Sequence, residues 1–182
     1  MFAKLVASSV DERKDGITRS AFVEFVKQMN AVDAKILKSF APDNRIPMAN
    51  LEKSLQNMGS LPFKSEILPL DFEQDSKIRE QLPSSIVNLD RLGLIKYSYD
   101  SPLTSYKYDL EFEKTPEYTE LEKIITQEKV KYTSYQHRFE IANKLDESTK
   151  SSLETLRSAS PKITPGFAEL TNLGKDFISV CL

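Results

Sequence analysis

Apolar residues recur at helical spacing as far as Phe40, lose that regularity, and regain it at Ser84. Phe2, Leu5 and Val6 share one helical face, with Ala3 and Ala7 favouring helix and no capping residue ahead of them. The chain is therefore expected to begin inside a helix, with Met1 a cut and not a start. The polar run from Asp11 to Gly16 predicts a turn. Thr18 or Ser20 then caps a helix that buries Phe22, Val23, Phe25, Val26 and Met29 and ends near Asn30. Asp33 begins or lies in the first turn of a third helix, with Ile36, Leu37 and Phe40 at core spacing and Pro42 beyond its end.

Between Arg45 and Leu82 the pattern weakens. Leu51, Leu55 and Met58 predict a helix stopped by Gly59, and Pro62 and Pro69 bracket an extended segment, so the stretch reads as a connector. Ser84 or Ser85 caps a helix whose Ile86, Val87, Leu89 and Leu92 face a core until Gly93 ends it; Leu94 to Tyr99 then turns extended. Tyr106, Tyr108, Leu110 and Phe112 alternate with polar residues, the period of a half-buried strand, after a turn at Asp100-Ser-Pro.

Residues 116–157 are rich in Lys and Glu and contain no Gly or Pro after Pro116, which predicts long helix. Leu121, Ile125, Tyr132, Tyr135, Phe139, Ala142, Leu153 and Leu156 make an approximate stripe interrupted by Glu128, Asp146 and Thr149. A helical arm, or a helical hairpin broken near Asp146, is expected rather than a sustained coiled coil. After Ser160-Pro161, Ile163 to Leu170 predict a strand. Thr171 then caps a closing helix that buries Leu173, Phe177, Ile178 and Val180.

A helix with a glycine stop, a strand, and much later a strand entering a last helix follow the order of a winged helix-turn-helix. The expected fold is α+β and mainly helical. It comprises an N-terminal helical lobe over 1–70 and a winged-helix-like C-terminal lobe over 71–182 with a long helical insertion at 116–158. The lobe over 1–70 is expected to be the remainder of a longer helical region.

The 182 residues are 40% hydrophobic, enough for a core. Charges nearly cancel, 25 Lys and Arg against 27 Asp and Glu, so no overall field favours nucleic acid or an anionic membrane. No apolar run approaches the roughly 20 residues that cross a bilayer, and Met1 to Val10 lacks the pattern of a signal peptide. The single cysteine, Cys181, forms no internal disulfide, which fits a reducing, cytoplasmic setting.

Candidate chemistry is sparse. His137 is the only histidine, which excludes a His-based zinc cage and a His-centred triad. Cys181, between Val180 and Leu182, reads as core packing. The five glycines form no phosphate-binding loop, and Gly174-Lys175 only imitates one. Glu111 and Glu113 read as the wet side of a strand. No catalytic, cofactor-binding or metal-binding residue is assigned, no small-molecule ligand is indicated, and the protein is expected not to be an enzyme.

A groove-reading winged helix needs cations on its recognition helix and wing. Arg91 and Lys96 are the candidate DNA contacts; with Lys107 they are set against Asp90, Asp100, Asp109, Glu111 and Glu113. That balance favours protein contact over DNA reading, with a DNA-binding transcriptional regulator as the alternative. Tyr132, Tyr135 and Phe139 are the candidate protein interface, for a partner or for self-association.

Four blocks carry a family resemblance: Phe2-Ala-Lys-Leu-Val-Ala-Ser-Ser9 followed by Asp11; Ala21-Phe-Val-Glu-Phe-Val-Lys-Gln-Met29 with Asp33-Ala-Lys-Ile-Leu37; Leu89 to Ile95; and Thr171 to Phe177. Together they resemble the bacterial Abi-alpha, or abortive infection alpha, family. Members usually carry further helical sequence ahead of the first block, and residues 116–157 hold no clear family motif. The resemblance implies a part in bacterial defence against phage and supplies no catalytic residues.

Overall fold

The computed structural model describes residues 20–40, 43–56, 58–141, 154–155 and 157–182, without the side chains of 20 and 135–141. The expected first helix around Phe2, the turn at 11–16 and the expected break near Asp146 lie outside the described residues. The architecture is α+β, with four strands in the order β2-β1-β4-β3. Two compact units interleave along the sequence. One collects the described residues of Met1–Met48, Asp71–Tyr106 and Gly166–Leu182; the other collects those of Ala49–Leu70 and Lys107–Pro165.

In the first unit, α1 (Ser20–Gln28) buries Phe22, whose ring meets Phe177 edge-on at 5.2 Å. α2 (Ala31–Ser39) starts on a reciprocal cap. Asn30 Oδ1 accepts from the backbone N–H of Val32 at 2.7 Å and Asp33 at 2.9 Å, while Asp33 Oδ2 accepts from Asn30 N–H at 2.9 Å. Asp33 thus sits in the first turn, as its sequence context predicts. Ile36, Leu37 and Phe40 are fully buried, worth roughly 1.5–3 kcal/mol apiece relative to exposure.

After α3 (Ser76–Arg79), α4 spans Leu82–Arg91. It begins earlier than the expected Ser84 or Ser85 cap because Pro83, with its fixed φ and missing N–H, suits a first helical turn. Ser85 is buried instead, and Val87 points to solvent while Leu82, Ile86 and Leu89 share the packed face. Gly93, at φ +72°, ends the helix: its N–H donates to Asp90 O at 2.8 Å and Leu94 N–H to Leu89 O at 3.0 Å, the two bonds of a Schellman stop.

β3 (Ile95–Ser98) pairs antiparallel with the end of β4 (Ser160–Leu170), setting Ile95 against Leu170 and Lys96 against Glu169. The observed β4 extends the expected strand back to Ser160. Thr171 then caps α7 (Asn172–Cys181), as predicted, with its hydroxyl accepting from Gly174 N–H at 3.0 Å.

In the second unit, which β1 enters at Ala49, sequence expectation fails twice. β1 (Arg45–Leu55) and β2 (Gly59–Ile67) form an antiparallel hairpin where a connector with a short helix was expected. Gly59, at φ +85°, lies at the hairpin turn and is not a helix stop. Conversely, Tyr108–Phe112, expected as strand, is a helical turn, α5, with the Tyr108 and Phe112 rings stacked at 5.8 Å. α6 (Pro116–Ile141) is the predicted long helix over its described length, burying Leu121 and Ile125.

Candidate protein-contact surface

Two ion pairs lay the hairpin along α6. Lys64 Nζ donates to Glu120 Oε2 at 2.6 Å, and Lys53 Nζ to Glu128 Oε2 at 2.8 Å, the second pair half-buried. Leu61 is the cross-strand partner of Lys53, so it lies beside the Glu128 turn of α6, and Met58 follows at the closed end of the hairpin. Val130 stands nine residues past Leu121, two and a half turns, and therefore points away from the packed stripe.

This unit leaves large apolar side chains in water. Met58 is 72% exposed, Val130 63%, Leu110 54% and Leu61 50%. Scattered singly, such residues need no explanation; here Met58 and Leu61 stand on the hairpin end, and Val130 on the outward side of the α6 segment tied to it. Around Val130 an open groove of about 430 Å³ is lined by Lys129, Val130, Thr133 and Ser134. The chemistry offered is association: a few apolar contacts bordered by ammonium groups.

The residues singled out from sequence fare differently. Tyr132 is half-buried, eleven residues from Leu121, and so on the packed side of α6. The side chains of Tyr135 and Phe139 lie outside the described residues. Arg91 closes α4 and is exposed, but its guanidinium donates to Gln28 Oε1 at 3.0 Å and Asn88 Oδ1 at 2.8 Å. Lys96 is exposed on β3 directly across from Glu169, which itself pairs with Arg45 at 3.0 Å. Arg91 and Lys96 are thus on successive elements of the first unit, each beside polar or acidic neighbours.

Titratable groups elsewhere are explained by local partners. Glu73 is held down to about 2 by the Lys35 ammonium and by the Asp75 and Gln74 N–H groups. The Lys162 ammonium, 2.9 Å away, lowers Glu52. Burial pushes the Cys181 thiol up to about 11, the opposite of an activated nucleophile. Burial also raises Glu66, whose backbone sits at φ +52° with its N–H on Asn50 Oδ1 at 3.1 Å. Among the described residues no three His, Cys, Asp or Glu side chains gather as a metal site, and no helix is long and apolar enough to cross a membrane.

The family model for abortive infection alpha matches residues 1–181, essentially the whole chain. The chain belongs to the Abi-alpha family. No curated protein and no solved structure matches it. The Abi-alpha blocks at Leu89–Ile95 and Thr171–Phe177 meet in the first unit, where Thr171 Oγ1 donates to Gly93 O at 2.6 Å. The exposed apolar residues of this Abi-alpha chain lie mainly in the other unit. Sequence reasoning missed Met58 and Leu61 because their exposure follows from the hairpin, which the sequence pattern disguised as a connector with a short helix; Val130 was missed as a single apolar residue off the stripe of the correctly predicted α6.

Proposed function

We propose that this Abi-alpha chain is a non-enzymatic protein-interaction module of cytoplasmic bacterial defence against phage. The observation that carries the reading is the exposure of the apolar residues Met58, Leu61 and Val130 on the hairpin and on the α6 segment that two ion pairs tie to it. Family membership supplies the biological setting. In this reading the α4–β3–β4–α7 portion is a winged-helix-like scaffold, not a groove reader. Two things favour contact over DNA: Arg91 is spent on Gln28 and Asn88, and Lys96 faces Glu169, whereas phosphate binding needs unengaged cations.

Plating a broad phage panel on cells with and without the full-length gene tests the defence role. Lower plating with the gene for at least one phage is expected; equal plating across the panel counts against it.

A further inference from the structure

On the two flanks of its outward side α6 carries a charge order that is its own complement; Lys123, between the flanks, has no such counterpart. Glu122 and Lys129 are two turns apart on one flank, and Glu120 and Lys131 are three turns apart on the other. Between the flanks, Thr119, Lys123, Thr126 and Val130 face away from the buried Leu121 and Ile125. In both pairs the residue numbers sum to 251. A two-fold axis between Ile125 and Thr126 therefore brings Glu122 of one helix onto Lys129 of an antiparallel second helix, and Glu120 onto Lys131.

We infer that the outward face of α6 binds the same face of a second copy of this chain, antiparallel and two-fold symmetric. Such an interface is isologous, so each favourable contact is made twice. Small Thr126 side chains meet near the axis and permit close approach. Each Val130 packs on Thr119 and the aliphatic stem of Lys123 from the other copy. Among the described residues Lys129 and Lys131 make no ion pair, and in the dimer their ammonium groups meet the partner's carboxylates. Glu120 already receives Lys64, so the Glu122–Lys129 pair sets register and the Glu120–Lys131 pair adds less. With one exposed valine per face, the association is weak and salt-sensitive.

The inference deepens the protein-contact reading and rests on it for its biological meaning. Sedimentation equilibrium of the full chain, at about 50 mM and about 500 mM salt, tests it. The expected result is a reversible dimer, at least about fivefold weaker in the higher salt. Lys129→Glu and Glu122→Lys each weaken it at least about tenfold by setting like charges together, and the double reversal restores it to within about threefold. A monomer under all conditions, a dimer indifferent to either single reversal, or a double variant that stays weak overturns the pairing. Far-ultraviolet circular dichroism confirms that the variants fold, and the salt dependence of the wild type stands without any variant. A monomeric chain that still lowers phage plating sinks the pairing alone; a chain that dimerises as described but leaves plating unchanged sinks the defence reading alone.

Discussion

The hydroxyl of Thr171 donates to the carbonyl of Gly93, 2.6 Å away, while accepting from the N–H of Gly174, so one side chain joins the end of α4 to the start of α7. Thr171 N–H adds a bond to Leu94 O at 3.1 Å. Residues far apart in sequence are thus fastened where a helix stops and another begins, the two places where backbone groups lack helical partners.

That junction is tight on one side and open on the other. A Cβ at Gly174 would come 2.0 Å from Leu94 O, whereas one at Gly93 would meet only a Leu173 methyl at 3.8 Å. Gly174→Ala is expected to cost about 3 kcal/mol through backbone collision, and Gly93→Ala about 1 kcal/mol through its φ of +72° alone. Urea unfolding of both variants checks the order; a Gly93→Ala cost equal to or above that of Gly174→Ala refutes it.

The cap of α2 gives a second expectation. Asn30→Ala removes the acceptor for two N–H groups and is expected to lower stability by about 1–2 kcal/mol, with Asn30→Gly losing only a few tenths. Equal losses in urea unfolding would show that the Asn30 side chain contributes nothing as a cap.

Much of this first unit was legible in sequence because its signals are local. Gly93, Asp33 and Thr171 each end or start a helix by chemistry confined to a few neighbours. The failures share one cause: Leu51 and Leu55, like Tyr108 and Phe112, are four residues apart, a spacing that fits both a helix face and a strand face. Packing partners broke the tie. β1 found β2 in one case, and two aromatic rings stacked over one turn in the other. The contact surface was illegible for the same reason, since Met58 and Leu61 are exposed only once the hairpin forms.

Glu73 sets an acid-side limit on stability. Its carboxyl titrates near 2 when folded against an ordinary 4.5, so its stabilisation is complete above 4.5 and is lost as pH falls from there toward 2. Glu73→Gln should flatten the fall in urea midpoint over that window. An unchanged slope would contradict the assignment to Lys35 and the Asp75 N–H.

Glu66 has the opposite sign. Burial raises its folded pKa above 4.5, so ionisation opposes folding and the penalty grows as pH rises through that higher value. Glu66→Gln is expected to raise the urea midpoint at pH 7 and to make no difference at pH 3. A destabilised variant at pH 7 would show that the carboxylate has a favourable partner.

The central claim, that the chain works by contact through the hairpin end and α6, is met most directly by one plating experiment. Cells expressing Met58→Asp/Val130→Asp, first shown to fold by circular dichroism, are challenged beside cells expressing wild type. Loss of protection at unchanged protein level is the expected outcome, because charges on both exposed apolar residues repel a partner without disturbing the core. Full protection by the folded double variant would contradict it.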